Sequence, residues 1–139
     1  MAWNAVGCQM GAFEAALTYA EERVQFGRPI AGFPLIHDLI ARMAVNVTAS
    51  LGMAVRVAQL QEEGVFRDDH AALAKAVVTS RGRETVAWAR ELFGGNGILL
   101  ENDVVRFFDG AGALYSYEGT REIDHLIVGR GLTGHSAFV

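Results

Sequence analysis

Apolar residues recur every three or four positions through three long stretches of this chain, and glycine or proline interrupts each stretch before the next begins. That rhythm matches the 3.6-residue turn of an α-helix, so it commits most of the sequence to helices with one apolar side. The first run extends from Ala2 to about Arg23, with Val6, Met10, Phe13 and Leu17 on one face and Glu14, Glu21 and Glu22 elsewhere. It ends in FGRPIAGFP, where Gly27, Pro29, Gly32 and Pro34 disfavour continuation. The second runs from about Leu35 to Glu63, with a seam of Leu35, Leu39, Met43, Val47, Leu51, Val55 and Ala58, and would span roughly 40 Å. Gly64 stops it, Asp68 or Asp69 offers an N-cap, and a third helix follows through AALAKAVVTSRGRETVAWARELF. Gly94 then suits a left-handed C-terminal cap. Asn102 or Asp103 is positioned to start a shorter helix through VVRFFDGAGAL, and Thr120 another through about Gly131. No segment alternates with a period of two between turn signals. The expected fold is all-α: an antiparallel four-helix-type bundle of three long helices plus two shorter C-terminal ones.

Composition narrows the functional classes. A length of 139 residues allows one domain or a piece of a larger protein, and a 51% hydrophobic content is high for a chain this small, so packing against other domains or subunits is expected. The net charge of −4, with no free-standing basic cluster, argues against nucleic acid as a partner. Cys8 is the single cysteine, which excludes an internal disulfide and fits a reducing compartment. Residues 1–13 carry no Asp, Glu, Lys or Arg, yet they lack a basic lead and fall short of the roughly 18 apolar residues a membrane span needs. A buried helix, with no membrane span and a cytoplasmic or organelle-matrix setting, is the expectation. His37, His70, His125 and His135 share no metal-ligand spacing, so no metal site is expected.

Three short stretches carry chemistry beside an ordinary structural explanation. Glu118 in LYSYEGTREIDHLI reads as a solvated loop acid or as a base, the latter if Leu114, Tyr115 and Tyr117 wall it from water. The glycines of ELFGGNGI read as a helix cap and turn, or as a surface where backbone N–H groups approach a pyrophosphate. Arg23 and Phe26 in ERVQFGRP read as a helix-terminal cation and its neighbour, or as a phosphate clasp and a stacking ring.

Taken in order, R-x-x-F-G-x-P at Arg23–Pro29, F-G-G-N-G at Phe93–Gly97 and Y-E-G-T at Tyr117–Thr120 resemble the C-terminal helical domain of the acyl-CoA dehydrogenase family. The tail EGTREIDHLIVGRGLTGHSAF looks closest to glutaryl-CoA dehydrogenase and its bacterial relatives. The resemblance implies that Glu118 takes the α-proton of an acyl-CoA thioester while the β-hydrogen leaves as hydride to N5 of FAD, with Tyr117 and Gly119 beside the substrate. It further implies that Arg23 and Phe26 reach the FAD of a neighbouring subunit, with Glu91, Leu92, Phe93, Gly94 and Gly95 around its adenosine-pyrophosphate end. Thr120, Arg121, Glu122 and Phe138 would also touch FAD. A homo-oligomer, dimer or tetramer, and electron-transfer flavoprotein as redox partner follow from the same likeness. Pro34 stands where many relatives carry a glutamine that reaches the adenosine, which puts cofactor affinity in question. The N-terminal helical and middle β-domains of the family are absent, so the chain is expected to be an excised or truncated piece, inactive in isolation. Two other readings remain at this point: a non-catalytic bundle used for assembly, and the corresponding domain of an acyl-CoA oxidase.

Overall fold

The computed structural model describes residues 1–137. Five helices follow one another: α1 (Ala2–Glu22), α2 (Pro34–Glu62), α3 (Asp68–Leu92), α4 (Val104–Ser116) and α5 (Arg121–Thr133). The all-α expectation holds, with three long helices and two shorter ones. One small departure lies in the α1–α2 connection, where β1 (Val24–Gln25) and β2 (Arg28–Pro29) pair antiparallel. Two-residue strands are too short to show a period of two, so the alternation test had nothing to detect.

Named contacts fix the directions. Gln9 on α1 meets Ser50 on α2 and Val78 on α3, while Tyr19 near the end of α1 stacks on Phe93 just beyond α3. Thus α1 and α3 run the same way and α2 runs between them in reverse. Along α4, Phe107 lies beside Cys8 and Gly11 and Leu114 joins Ala5 and Val6, and along α5, Asp124 meets Lys75 and Gly131 lies against Asp69, so both short helices run against α3. The central helix is α3, which packs against all four others.

The core lies in two apolar clusters along this axis. One joins Ala12, Ala16 and Ala20 of α1 to Met43, Val86, Leu92, Phe93 and Val104; the other joins Ala5 and Val6 to Ala54, Val78 and Leu114. Between the two clusters along α1 and α2 sit Gln9 and Ser50, both fully buried. The Gln9 amide donates to the Val78 carbonyl at 2.9 Å and its oxygen accepts from the Ser50 hydroxyl at 3.1 Å.

The seams expected from sequence are displaced. On α1 the buried residues are mainly alanines, and Met10 is exposed. Alanine lets three neighbouring helices approach closely, whereas apolar size alone marks Met10 and Leu17. On α2 the buried set is Met43, Asn46, Ser50 and Ala54, and Leu51 and Val55 face outward. A series taken every four residues advances 400° per step, so Leu35 to Val55 winds about 40° round the helix each time and leaves the core side. The helix as a whole is apolar enough that an 18-residue window of it has a mean hydropathy of 1.2. In this fold, however, the helix is one wall of the bundle, packed against α1 and α3.

The start of α3 corrects another expectation. Arg67 is the N-cap residue, and Asp68 and Asp69 occupy the first turn. The Arg67 backbone N–H donates to Nδ1 of His70, and its guanidinium makes two bonds to Asp69, at 2.9 and 2.6 Å. This guanidinium holds the Asp69 carboxyl down from 3.8 to about 2. A carboxyl lowered in the folded state stabilises the fold fully above its ordinary value, and that contribution disappears as pH falls through the lowered one. Thermal denaturation from pH 5 to 2 should therefore show a steeper loss of Tm for the native chain than for Asp69→Asn, with the difference developing below about pH 4. Parallel curves would remove the pair from the stability account.

Candidate functional site

Two concave regions at opposite ends of α3 hold seven of the candidate site residues, and Arg121 lines a third, of about 520 Å³, beside Arg83, Phe108 and Tyr115. The first is a groove of about 690 Å³ between the α1–α2 connection and the end of α3. Its lining includes Arg23, Phe26, Leu92, Phe93, Gly94 and Gly95, six of the residues expected at the cofactor. Glu91 lies outside this lining, exposed on the last turn of α3.

Local geometry shows why these residues meet. Val24 pairs with Pro29 and Gln25 with Arg28, which leaves Phe26 and Gly27 as a two-residue hairpin loop with φ of 52° and 79°. Positive φ at both central positions marks the type I′ hairpin, which Asn-Gly or Gly-Gly normally occupies. A phenylalanine there is strained by its Cβ, and its ring is also 90% exposed. Across the groove, Gly94 adopts the left-handed cap expected for it, with φ of 59°. A Cβ on Gly94 or Gly95 would meet nothing within 4 Å, so open backbone faces the groove. The rest of the FGGNG turn is structural. Asn96 donates to the Tyr19 hydroxyl at 2.8 Å, and a Cβ on Gly97 would overlap the Arg90 carbonyl. Pro34 lines the same groove and is the first residue of α2, where its missing N–H leaves no helical bond unmade.

Glu118 lies in the second region, a cleft of about 420 Å³ formed by the start of α1, the end of α2, the start of α3 and the first half of α5. Lys75 and Leu92 are separated by 17 residues of α3, so the cleft and the groove stand about 25 Å apart in one chain. The backbone of Glu118 has φ of 57° and that of Gly119 has φ of 94°. Among the described residues, Phe26 and Glu118 are the non-glycine positions with positive φ.

The walls of this cleft are not those expected from sequence. Leu114 is buried in the core beside Ala5 and Val6, and Tyr115 faces Arg83 and Arg121. Both residues lie in the last turn of α4, where the helix turns Leu114 into the core and Tyr115 toward the two arginines. Trp3 and Phe66 line the cleft instead, each more than a third exposed. Tyr117 lies outside the lining and is half exposed. Glu118 itself is exposed in this chain. Trp3 and Phe66 lie far from Glu118 in sequence and in unrelated surroundings, so nothing in the linear pattern linked them to it.

Beyond the loop, Thr120 caps α5 as expected, its hydroxyl accepting from the Ile123 N–H at 3.5 Å. Arg121 bonds Glu122 at 2.8 Å, and the Glu122 carboxyl is held below the usual range, first by its own backbone N–H and then by Arg121 and Thr120. Phe138 falls outside the described residues. Lys75 and Asp124, which the sequence did not single out, also reach the cleft. Both are buried and they pair at 3.1 Å.

Comparison with known proteins places this geometry. Residues 1–133 match the family model described as acyl-CoA dehydrogenase, C-terminal domain. An acyl-CoA dehydrogenase of Bacillus subtilis is 34% identical over 134 residues, which cover 96% of this chain and 35% of that protein. A crystal structure of glutaryl-CoA dehydrogenase from Mycobacterium smegmatis superposes with a TM-score of 0.93 at 32% identity, over 99% of this chain and 36% of the other. A second structure of a glutaryl-CoA dehydrogenase from that organism, in complex with FADH2, gives a TM-score of 0.93 at 26% identity, again over 99% of this chain and 36% of the other. The chain therefore spans about a third of the length of the relatives it matches. With the bundle, the open-backbone turn and the strained glutamate loop all in the order its motifs set, the chain belongs to the acyl-CoA dehydrogenase family, as a C-terminal domain.

Proposed function

We propose that this chain is the C-terminal domain of an FAD-dependent acyl-CoA dehydrogenase, with Glu118 as the base that removes the α-proton of an acyl-CoA thioester. The observation that carries this reading is the coincidence of strain and exposure at two sites. Phe26 and Glu118 hold backbone conformations that cost of order 1–3 kcal/mol each, and their side chains point out of the core rather than into it. Such strain contributes nothing to packing, and it supports a role at surfaces that bind something.

The groove residues fit a dinucleotide on chemical grounds. Arg23 supplies an exposed cation for a pyrophosphate, Phe26 an exposed ring for stacking, and Gly94 and Gly95 backbone that a bulky ligand can approach. Thr120, Arg121 and Glu122 stand at the other end, beside Glu118. Because the two sets lie about 25 Å apart along α3, one flavin served by both sets at close range draws them from two chains. The bound flavin would accept the β-hydrogen as hydride. Glu118 contributes the proton-accepting carboxylate at the mouth of a cleft with aromatic walls, and its own main-chain N–H is available to a thioester carbonyl.

The remaining parts of the reading are one scheme. A middle domain seated over Trp3, Phe66 and Glu118 would remove water from the carboxylate and raise its basicity. The exposed outer side of α2 would be covered in a dimer or tetramer. Electrons would pass to an electron-transfer flavoprotein in the cytoplasm.

The test is anaerobic titration, with acyl-CoA thioesters of several lengths, of the FAD-loaded full-length protein in which this domain is joined to its N-terminal helical and middle β-domains. Loss of the oxidised flavin absorbance is the expected result, and an unchanged spectrum with every thioester would overturn the proposal. Arg23→Ala with Phe26→Ala tests the groove. FAD retention on gel filtration should fall at least tenfold, since a charged phosphate contact and a stacking ring together are worth about 1.5–4 kcal/mol.

A further inference from the structure

Lys75 reaches across from α3 to the residue that follows Glu118. Its ammonium donates to the Gly119 carbonyl and to Oδ2 of Asp124, the latter at 3.1 Å. The two side chains are 8% and 6% exposed. Gly119 has φ of 94°, and a Cβ there would lie 3.5 Å from the other Asp124 oxygen, so the loop sits directly on the ion pair. Two of the three ammonium donors are thereby committed, one to backbone and one to charge.

We infer that Lys75 is a positioning residue for the Glu118 loop, with Asp124 as the counter-ion that makes its burial tolerable; this rests on the proposed role of Glu118. A buried ion pair is weak as a source of stability, because desolvation offsets the attraction, so stability alone gives little reason for this arrangement. What the pair does provide is a fixed donor for one particular carbonyl. The peptide plane of Gly119 is held from below, Thr120 is held by its capping bond to Ile123, and Tyr117 is held by the last bond of α4, from its N–H to the Ala113 carbonyl at 3.1 Å. Glu118 is left between these anchors with no freedom to relax from positive φ. A base must be placed to within a fraction of an ångström of its proton, and a displacement of about 1 Å can cost on the order of 10²-fold in rate.

Lys75→Met alone would strand the Asp124 charge and is expected to unfold the domain. The informative variant is Lys75→Met with Asp124→Leu, which replaces the pair by apolar groups of similar volume, a change that is often neutral for stability. In the FAD-loaded full-length chain its Tm should stay near the native value. The rate of flavin reduction should fall about 10–100-fold with the KM for acyl-CoA within a few-fold, because binding surfaces are intact and only the base is misplaced. A second readout needs no chemistry: chymotryptic cleavage after Tyr117 should accelerate about tenfold or more, as the loop opens locally. Asp124→Asn breaks the charge pair and leaves the Gly119 contact, so it should lower Tm while cleavage after Tyr117 stays slow. Native reduction rate and native cleavage in the double variant would overturn the inference, and so would Asp124→Asn loosening the loop as much as the double variant does. If the native full-length protein reduced no flavin, the proposed function would fall, and the cleavage readout would still decide whether Lys75 holds the loop.

Discussion

Glu118→Gln should slow flavin reduction by an acyl-CoA by about 10²–10⁴-fold, the range over which a positioned general base contributes. The substitution keeps the volume and the two-heavy-atom end of the side chain while removing its ability to take a proton. It adds no new strain, since glutamine meets the same positive φ of 57° that glutamate already tolerates. The side chain is exposed and has no packing to lose, so the unfolding free energy should change by no more than surface substitutions usually produce, about 0.5 kcal/mol. FAD retention should also be preserved, because the groove that carries Arg23 and Phe26 is distant along α3. Rapid-mixing absorbance of the FAD-loaded full-length chain separates these effects. Reduction at the native rate in the glutamine variant would remove Glu118 from the proton-transfer step.

The largest loss of stability is expected at Gln9. Its side chain is completely buried, bridges three helices and leaves no polar side-chain atom in the interior without a partner among the described residues. Gln9→Ala removes most of a side chain from a close-packed layer and strands the Ser50 hydroxyl. Cavity and orphaned-donor terms together should cost about 3 kcal/mol, which lowers Tm by about 10 °C in a domain of this size. The Val78 carbonyl suffers less, because it lies within α3 and has a helical bond to fall back on. A double variant, Gln9→Leu with Ser50→Ala, should therefore recover much of the loss by removing both sides of the bond. Equal, additive losses for the two single changes would show that Gln9 and Ser50 do not act as a unit.

Much of the fold was legible because helices write themselves locally. The periodicity and the Gly/Pro breaks located all five, and Thr120 and Gly94 cap where their side-chain chemistry and φ allow. Errors arose where a choice depended on what lay across the interface. Met10 and Leu51 are large and apolar and look like core, yet the packed positions nearby are Ala12, Ala16, Gln9 and Ser50, whose small size or polar bond suits close helix approach. Asp68 and Asp69 carry good capping side chains, and the fold assigns the cap to Arg67 while Asp69 pairs with its guanidinium.

The candidate site divides along the same line. Arg23, Phe26, the double glycine and Glu118 are visible as motifs, because each is a short string whose residue types must be adjacent to function. Their neighbours are not. Trp3, Phe66, Lys75 and Asp124 come to the Glu118 cleft from α1, the α2–α3 connection, α3 and α5, and no spacing in the chain relates them. Nor does any local rule show that Phe26 and Glu118 carry positive φ, since both residue types favour the opposite sign.

By itself, then, the sequence determined which segments are helical, where they stop, and which short strings hold chemically capable groups, because these follow from interactions within a few residues. Only the tertiary structure decided which helix faces are buried, that groove and cleft stand at opposite ends of α3, and that a lysine more than forty positions away bears on the glutamate loop. Those outcomes depend on contacts between distant parts of the chain, and their energies are set when the helices pack together.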